Sequence, residues 1–124
     1  YFRDFFFCDS GMIPWLLILQ LICSEKRPLS KMVDQMIDAY PSPGEINRSI
    51  RDPREAIDRV RANYRRMASS IDNTDGLSMN FGQWRFNLRE SNTEPMVRLN
   101  IESRGNRDLM ERKKNEILTI LDDT

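Results

Sequence analysis

The sequence predicts an α+β fold: an antiparallel four-stranded sheet with two helices on one face, in the order β-α-β-β-β-α, preceded by a helical segment. Three observations carry this expectation. From Met96 to Ser103, Val97, Leu99 and Ile101 alternate with Arg98, Asn100 and Glu102, the period of a strand with one buried and one wet face. Asp52-Pro53-Arg54-Glu55 supplies an N-cap, a proline at the first helical position and a glutamate three residues past the cap. Three short strand-like runs then follow one another with little between them, which favours antiparallel pairing and leaves both helices to cover a single face.

Taken in order, residues 1–9 (YFRDFFFCD) are aromatic-rich and predict a strand or an extended lead-in. Asp9 and Ser10 are suited to cap a helix starting near Gly11, with Pro14 in its first turn. That helix, Met12 to about Ser24, is apolar nearly all round and is expected to lie buried in a protein core. It is too short for a membrane span, and it lacks the basic start and small-residue site of a signal peptide. Leu29, Met32, Val33, Met36 and Ile37 form one helical stripe over Leu29 to Tyr40, which Pro41-Ser42-Pro43-Gly44 ends. A domain boundary is placed there, with 1–41 in one domain and 42–124 in the next.

Glu45 to Arg51 is a short strand candidate. Ala56, Val60, Tyr64, Met67 and Ile71 recur at helical spacing, so one helix is expected to run from Pro53 to about Ile71. Asp72-Asn73-Thr74-Asp75-Gly76 is a turn by composition. Strands are expected at Leu77 to Phe81, Trp84 to Leu88 and Met96 to Ser103. Arg104-Gly105-Asn106 turns the chain into a final helix from Arg107 to about Leu121, burying Met110, Ile117, Leu118 and Leu121.

Composition narrows the chemistry. Lys plus Arg and Asp plus Glu both number 19, so the formal charge is zero and any anion site must be local rather than a basic surface. The absence of histidine removes Ser-His and Cys-His catalysis and most zinc sites. Cys8 and Cys23 sit among apolar residues and are expected to be two buried, reduced thiols. A chain that starts at Tyr1 rather than Met is expected to be a piece of a longer protein or a processed chain.

The segment with chemistry is Arg89-Glu90-Ser91-Asn92-Thr93-Glu94-Pro95, expected as the loop between two strands. Ser91 and Thr93 offer hydroxyl donors, Asn92 an amide and a tolerance of left-handed backbone, and Arg89 a planar fork that fits phosphate oxygens. Successive backbone N–H groups in such a loop can form an anion-binding concavity. Glu90, an acid beside an anion site, is expected to point to solvent. Residue types alone leave open a plain hairpin loop whose side chains satisfy their own backbone.

Arg-x-Ser-Asn-Thr-Glu-Pro is similar to the phosphate-binding loop of the C-terminal domain of the α-D-phosphohexomutases. Tyr1-Phe2-Arg3-Asp4-Phe5, Cys8-Asp9-Ser10-Gly11-Met12, Pro41 to Asn47, Thr74-Asp75-Gly76-Leu77 and Trp84-Arg85-Phe86-Asn87-Leu88-Arg89 agree with the same family in order, most closely its bacterial phosphomannomutase type. The resemblance implies a four-domain enzyme whose last domain is TATA-binding-protein-like, with 1–41 as the tail of the third, sugar-binding domain and 42–124 as the phosphate-binding domain. It implies interconversion of hexose 6-phosphate and hexose 1-phosphate, of mannose or glucose, through a bisphosphorylated intermediate. Arg89, Ser91, Asn92 and Thr93 would hold the phosphate that is not being transferred, and a hinge would fall near Pro41 to Gly44.

By the same resemblance, the catalytic phosphoserine, the Mg²⁺ site and the sugar-reading loop lie outside this chain. Hexose 1,6-bisphosphate would be intermediate and activator, and the location cytoplasmic. The fragment alone is expected to bind phosphate weakly, if at all, and to be inactive, and the apolar Trp15–Cys23 helix to drive partial disorder, rearranged packing or self-association.

Other features have blander explanations. The arginine-rich stretch from Arg48 to Arg66 is a solvated helix face with pairs such as Glu55–Arg59. Trp84 and Phe86 are core residues rather than base-stacking platforms. Asp9 is a cap, and Asp122 and Asp123 a frayed end. The competing functional class is a non-catalytic α+β module that binds a phosphorylated ligand or RNA.

Overall fold

The computed structural model describes residues 1–122, which fall into two compact units, Tyr1–Met36 and the remainder from Ile37. In the first unit the chain opens on a tight turn instead of the expected strand. A short 3₁₀ segment, Arg3–Phe5, is closed by a lone bridge between Phe2 and Cys8. Phe6 and Phe7 there adopt positive φ, which an extended strand does not allow. Helix α1, Met12–Glu25, follows, with Gly11 at its N-cap and no side-chain cap; Ser10 Oγ accepts from the Ile13 N–H only at a long 3.4 Å. Asp9 accepts from the Ser10 N–H instead and does not cap.

The expectation of a buried α1 is corrected. None of its residues is buried, and Trp15 is 53% exposed. Tyr1–Met36 supplies too little chain to cover a helix that is apolar all round. Cys8 and Cys23, expected as buried thiols, are exposed for the same reason. No helix among the described residues is long and apolar enough to cross a membrane.

Helix α2, Leu29–Ala39, leads into the second unit, where Ser103 and Gly105 donate to the Pro41 and Ala39 carbonyls. Strand β1, Ile46–Ser49, precedes helix α3, Pro53–Tyr64, whose Asp52 cap accepts from the Glu55 N–H at 3.0 Å. Here the structure adds an element. The apolar spacing runs on through Met67 and Ile71, but the helix stops at Tyr64. Ser70–Asp72 forms strand β2, paired with β3, Leu77–Asn80. Ile71 keeps helical phase by coincidence, and opposite Met79 it is an edge-strand residue.

Strands β4, Trp84–Glu90, and β5, Met96–Ser103, and helix α4, Arg107–Asp122, complete the unit. The sheet therefore has five antiparallel strands rather than four, in the order β1-β5-β4-β3-β2. Asp122 closes α4 beside Arg48 at 3.8 Å instead of fraying, and Asp123 lies outside the described residues.

One face of the sheet makes the core. Leu77, Met79, Phe86, Leu88, Val97, Leu99 and Ile101 meet Ala56, Val60 and Tyr64 of α3 and Met110, Ile117 and Leu121 of α4. Trp84 and Phe86 belong to this core, in edge contact with Tyr64, so neither offers a face to a base.

The Tyr64 hydroxyl donates to Glu116 at 3.0 Å. Burial, and then the Glu116 carboxylate that accepts its proton, push the phenol above its ordinary range. Because the folded value exceeds the unfolded one, this contribution is complete below a pH of about 10 and is lost as pH climbs beyond it. Tyr64→Phe should cost about 1 kcal/mol at neutral pH and reduce the alkaline loss of stability, as urea titrations at pH 7 and pH 11 would show.

Candidate phosphate-binding site

The alternation that builds the core also builds the site. Along β4, Trp84, Phe86 and Leu88 face the helices, so Arg85, Asn87 and Arg89 face the opposite side. Along β5, Arg98 and Asn100 share that side, and the register places Arg89 directly across from Arg98. Strand β4 runs two residues further than expected, so Arg89 and Glu90 are strand residues and the connection is only residues 91–95. Pairing with Arg98 of β5, next to Leu88 paired on the other side with Leu77, thus fixes the backbone of Arg89, where a loop residue would drift.

The connection is tied at both ends. The Ser91 N–H donates to the Met96 carbonyl at 3.0 Å, and the Ile50 N–H to the Pro95 carbonyl at 3.0 Å. Within it, the Ser91 and Thr93 hydroxyls stand 3.4 Å apart, and the Thr93 N–H points at Ser91 Oγ, also at 3.4 Å. These long contacts are readily exchanged for a stronger acceptor. Asn92 lines a cleft of about 500 Å³ together with Arg89, Arg54 and Arg61. The structure therefore brings Ser91 and Thr93 together and places Asn92 and Arg89 on one cleft.

Arg89 itself is engaged elsewhere. Its Nη2 donates to Glu45 Oε2 at 3.0 Å, and its Nη1 lies 3.7 Å from Asp75 Oδ2. Arg98 reaches the other oxygen of the same carboxylate, Nη1 to Oε1 at 3.4 Å. Arg89 donation holds the Glu45 carboxyl below its usual range; burial opposes it next, and the Arg98 charge and a hydrogen bond from Asn100 then add to the lowering. Glu90 pairs weakly with Arg54 at 3.8 Å. It is exposed, as expected, yet it also lines the cleft that Arg89 and Asn92 share.

Gly76 supports Arg89 from below. It has φ +73°, and a Cβ there would overlap the Leu88 carbonyl oxygen and sit 2.8 Å from Arg89 Cβ. Only glycine lets the β2–β3 turn approach β4 this closely.

The sequence marked Arg89, Ser91, Asn92 and Thr93 but not Glu45, Asp75, Gly76 or Arg98 as parts of one site. The wet face of β5 was a usable signal for Arg98. Glu45 lies 44 residues from Arg89 and required the β1–β5 register. Among the described residues there is no group of three His, Cys, Asp or Glu side chains that could hold a metal ion.

Residues 45–120 match the C-terminal domain of the phosphoglucomutase/phosphomannomutase family. A phosphomannomutase of Escherichia coli K12 is 53% identical over 99% of the chain, and one of Vibrio cholerae 43% identical over 98%. A protein of Xanthomonas campestris named for phosphohexose mutases is 49% identical over 98%. The chain spans only about a quarter of these relatives, 26–27% of their length. A match over most of the chain, with an antiparallel α+β unit beneath it, means that the chain belongs to the phosphoglucomutase/phosphomannomutase family and that residues 45–120 are its C-terminal domain.

Proposed function

We propose that this chain supplies the phosphate-holding part of a phosphohexomutase that interconverts hexose 6-phosphate and hexose 1-phosphate of mannose or glucose. The observation that supports this is the pairing of the Ser91 and Thr93 hydroxyls in the short connection that follows Arg89, with Arg89 and Asn92 lining one cleft beside it. In this reading Arg89, Ser91, Asn92 and Thr93 grip the phosphate that is not transferred. A cradle that reads a tetrahedral dianion and little else accepts either end of a bisphosphorylated intermediate, hexose 1,6-bisphosphate, as it turns round. Remote binding energy of this kind orients the reacting end.

Phosphoryl transfer and the Mg²⁺ that assists it belong to other domains of the full-length protein, so the chain alone is inactive. Its substrates are cytoplasmic phosphosugars. A phosphorylated-ligand module without catalysis uses the same cradle. RNA stacking has no support, because Trp84 and Phe86 are core residues.

The test is a titration of the chain with inorganic phosphate followed by NMR. Amide shifts concentrated at Ser91, Asn92 and Thr93 are expected, and an unchanged 91–93 segment at tens of millimolar phosphate would remove the proposal. A second expectation follows from α1, which exposes Trp15, Leu16, Leu17 and Leu21. Such a surface on the isolated chain should pair with a second copy. Sedimentation should show concentration-dependent association that Leu17→Lys reduces, and a monomer at high concentration would contradict it.

A further inference from the structure

We propose that Glu45 is an internal anion seated in the phosphate site, and that an incoming phosphate displaces it from both Arg89 and Arg98. Arg98 is then a second guanidinium of the site. This rests on the reading of Arg89 as a phosphate ligand and extends it to two residues outside the recognised loop.

The geometry begins with a cross-strand conflict. Arg89 and Arg98 are direct partners in the β4–β5 register and point to the same face. Like charges directly opposite are unfavourable unless something lies between them. Glu45 does: its two oxygens are divided between the two guanidiniums, at 3.0 Å and 3.4 Å. Ile46 pairs with Leu99 and turns to the core, so the preceding residue is delivered to the outer face beside Asn100. A carboxylate bridging two forks is the arrangement a phosphate oxyanion would take.

Three further observations say that this arrangement is provisional. First, the Nη groups through which Arg89 would grip a phosphate in bidentate fashion are taken, one by Glu45 and one by Asp75. A phosphate cannot use that edge until Glu45 leaves. Second, the Nε atoms of both Arg89 and Arg98 are buried with no hydrogen-bond partner among the described residues. The side chains thus have donor capacity that the present arrangement leaves unused, which a reoriented, ligand-bound arrangement can satisfy.

Third, all three groups remain about one-third exposed, 33% for Glu45, 37% for Arg89 and 36% for Arg98. Ion pairs so exposed are held weakly, whereas a doubly charged phosphate with three acceptor oxygens bonds the same pair of forks more strongly. Glu45 thus keeps two facing arginines together while the site is empty and yields when the substrate phosphate arrives. The peptide N-terminal to it is Gly44, at φ +81°, next to Pro43, so the carboxylate can swing away on a segment outside any strand.

The proposal is tested on this chain with inorganic phosphate as probe. Glu45→Gln removes the competing charge and keeps an acceptor for the guanidiniums. It should tighten phosphate binding about three- to tenfold. Arg98→Gln should weaken it by a similar factor. Glu45→Asp, whose shorter arm retains the charge, should fall between wild type and Glu45→Gln.

In the unaltered chain, the Glu45 carboxyl ¹³C resonance and the Arg98 Nε–H should both shift as phosphate saturates, a readout that needs no variant. Unchanged or weaker binding by Glu45→Gln, with Arg89→Ala still abolishing binding, overturns the displacement while leaving Arg89 as a phosphate ligand. Indifference of phosphate binding to Arg89→Ala overturns the reading on which the proposal rests. A Glu45 carboxyl resonance unmoved at saturation overturns the proposal by itself.

Discussion

Replacing Arg89 with alanine in the full-length protein is expected to lower kcat/KM about a hundredfold, roughly 2–3 kcal/mol of lost transition-state binding. Arg89 is the one strongly charged donor among the four residues assigned to the distal phosphate, and its fork meets oxygens in a geometry that lysine cannot copy. In the proposed role it touches the end of the substrate that does not react, so its binding energy would serve orientation as well as affinity. Both kcat and KM should therefore suffer, and Arg89→Lys should recover only part of the loss. The fold should survive, since Arg89 lies on the polar face and its ion pairs are partly exposed. Unchanged kcat/KM would place the phosphate elsewhere.

Gly76→Ala should have the largest effect on stability, about 3 kcal/mol or more, lowering the thermal midpoint by roughly 10 °C or more. Two costs add. An alanine must adopt a positive φ that L side chains disfavour. Its Cβ also meets the Leu88 carbonyl oxygen and the Cα and Cβ of Arg89, which are backbone and strand-fixed atoms that cannot swing aside. Relief requires the β2–β3 turn to lift from β4 or Arg89 to move, so phosphate affinity should fall together with stability. Calorimetric unfolding of the variant measures the first effect. A midpoint within a degree or two of wild type would mean that the turn is not pressed against β4 as described.

Much of this architecture was legible because local chemistry and tertiary packing agree. The Asp52 cap and Pro53 start α3 where their chemistry dictates, and the alternation of β5 matches its burial residue by residue. The loop hydroxyls of Ser91 and Thr93 were visible as residue types, and the strands only had to bring them together.

What escaped the sequence has specific causes. Strand β2 was hidden because Ile71 falls in helical phase with Tyr64 and Met67, and an edge strand with exposed residues carries no burial pattern of its own. The exposure of α1 is not legible because an apolar run says that a helix needs cover, not that cover is present. Arg89 reads as a loop residue in the sequence because polar residues on a wet strand face resemble a loop. The Glu45 bridge depended on which residue of β1 faces Arg98, a register that no local pattern encodes.

The most direct measurement is a crystal structure of the full-length protein with a hexose phosphate bound. Phosphate binding at Arg89, Ser91 and Thr93 requires phosphate oxygens within about 3.2 Å of the Arg89 guanidinium and of the Ser91 and Thr93 hydroxyls. The displacement also requires the Glu45 carboxylate withdrawn from both arginines. A phosphate bound away from the 91–93 connection, with Arg89 still paired to Glu45 as it is here at 3.0 Å, would contradict it.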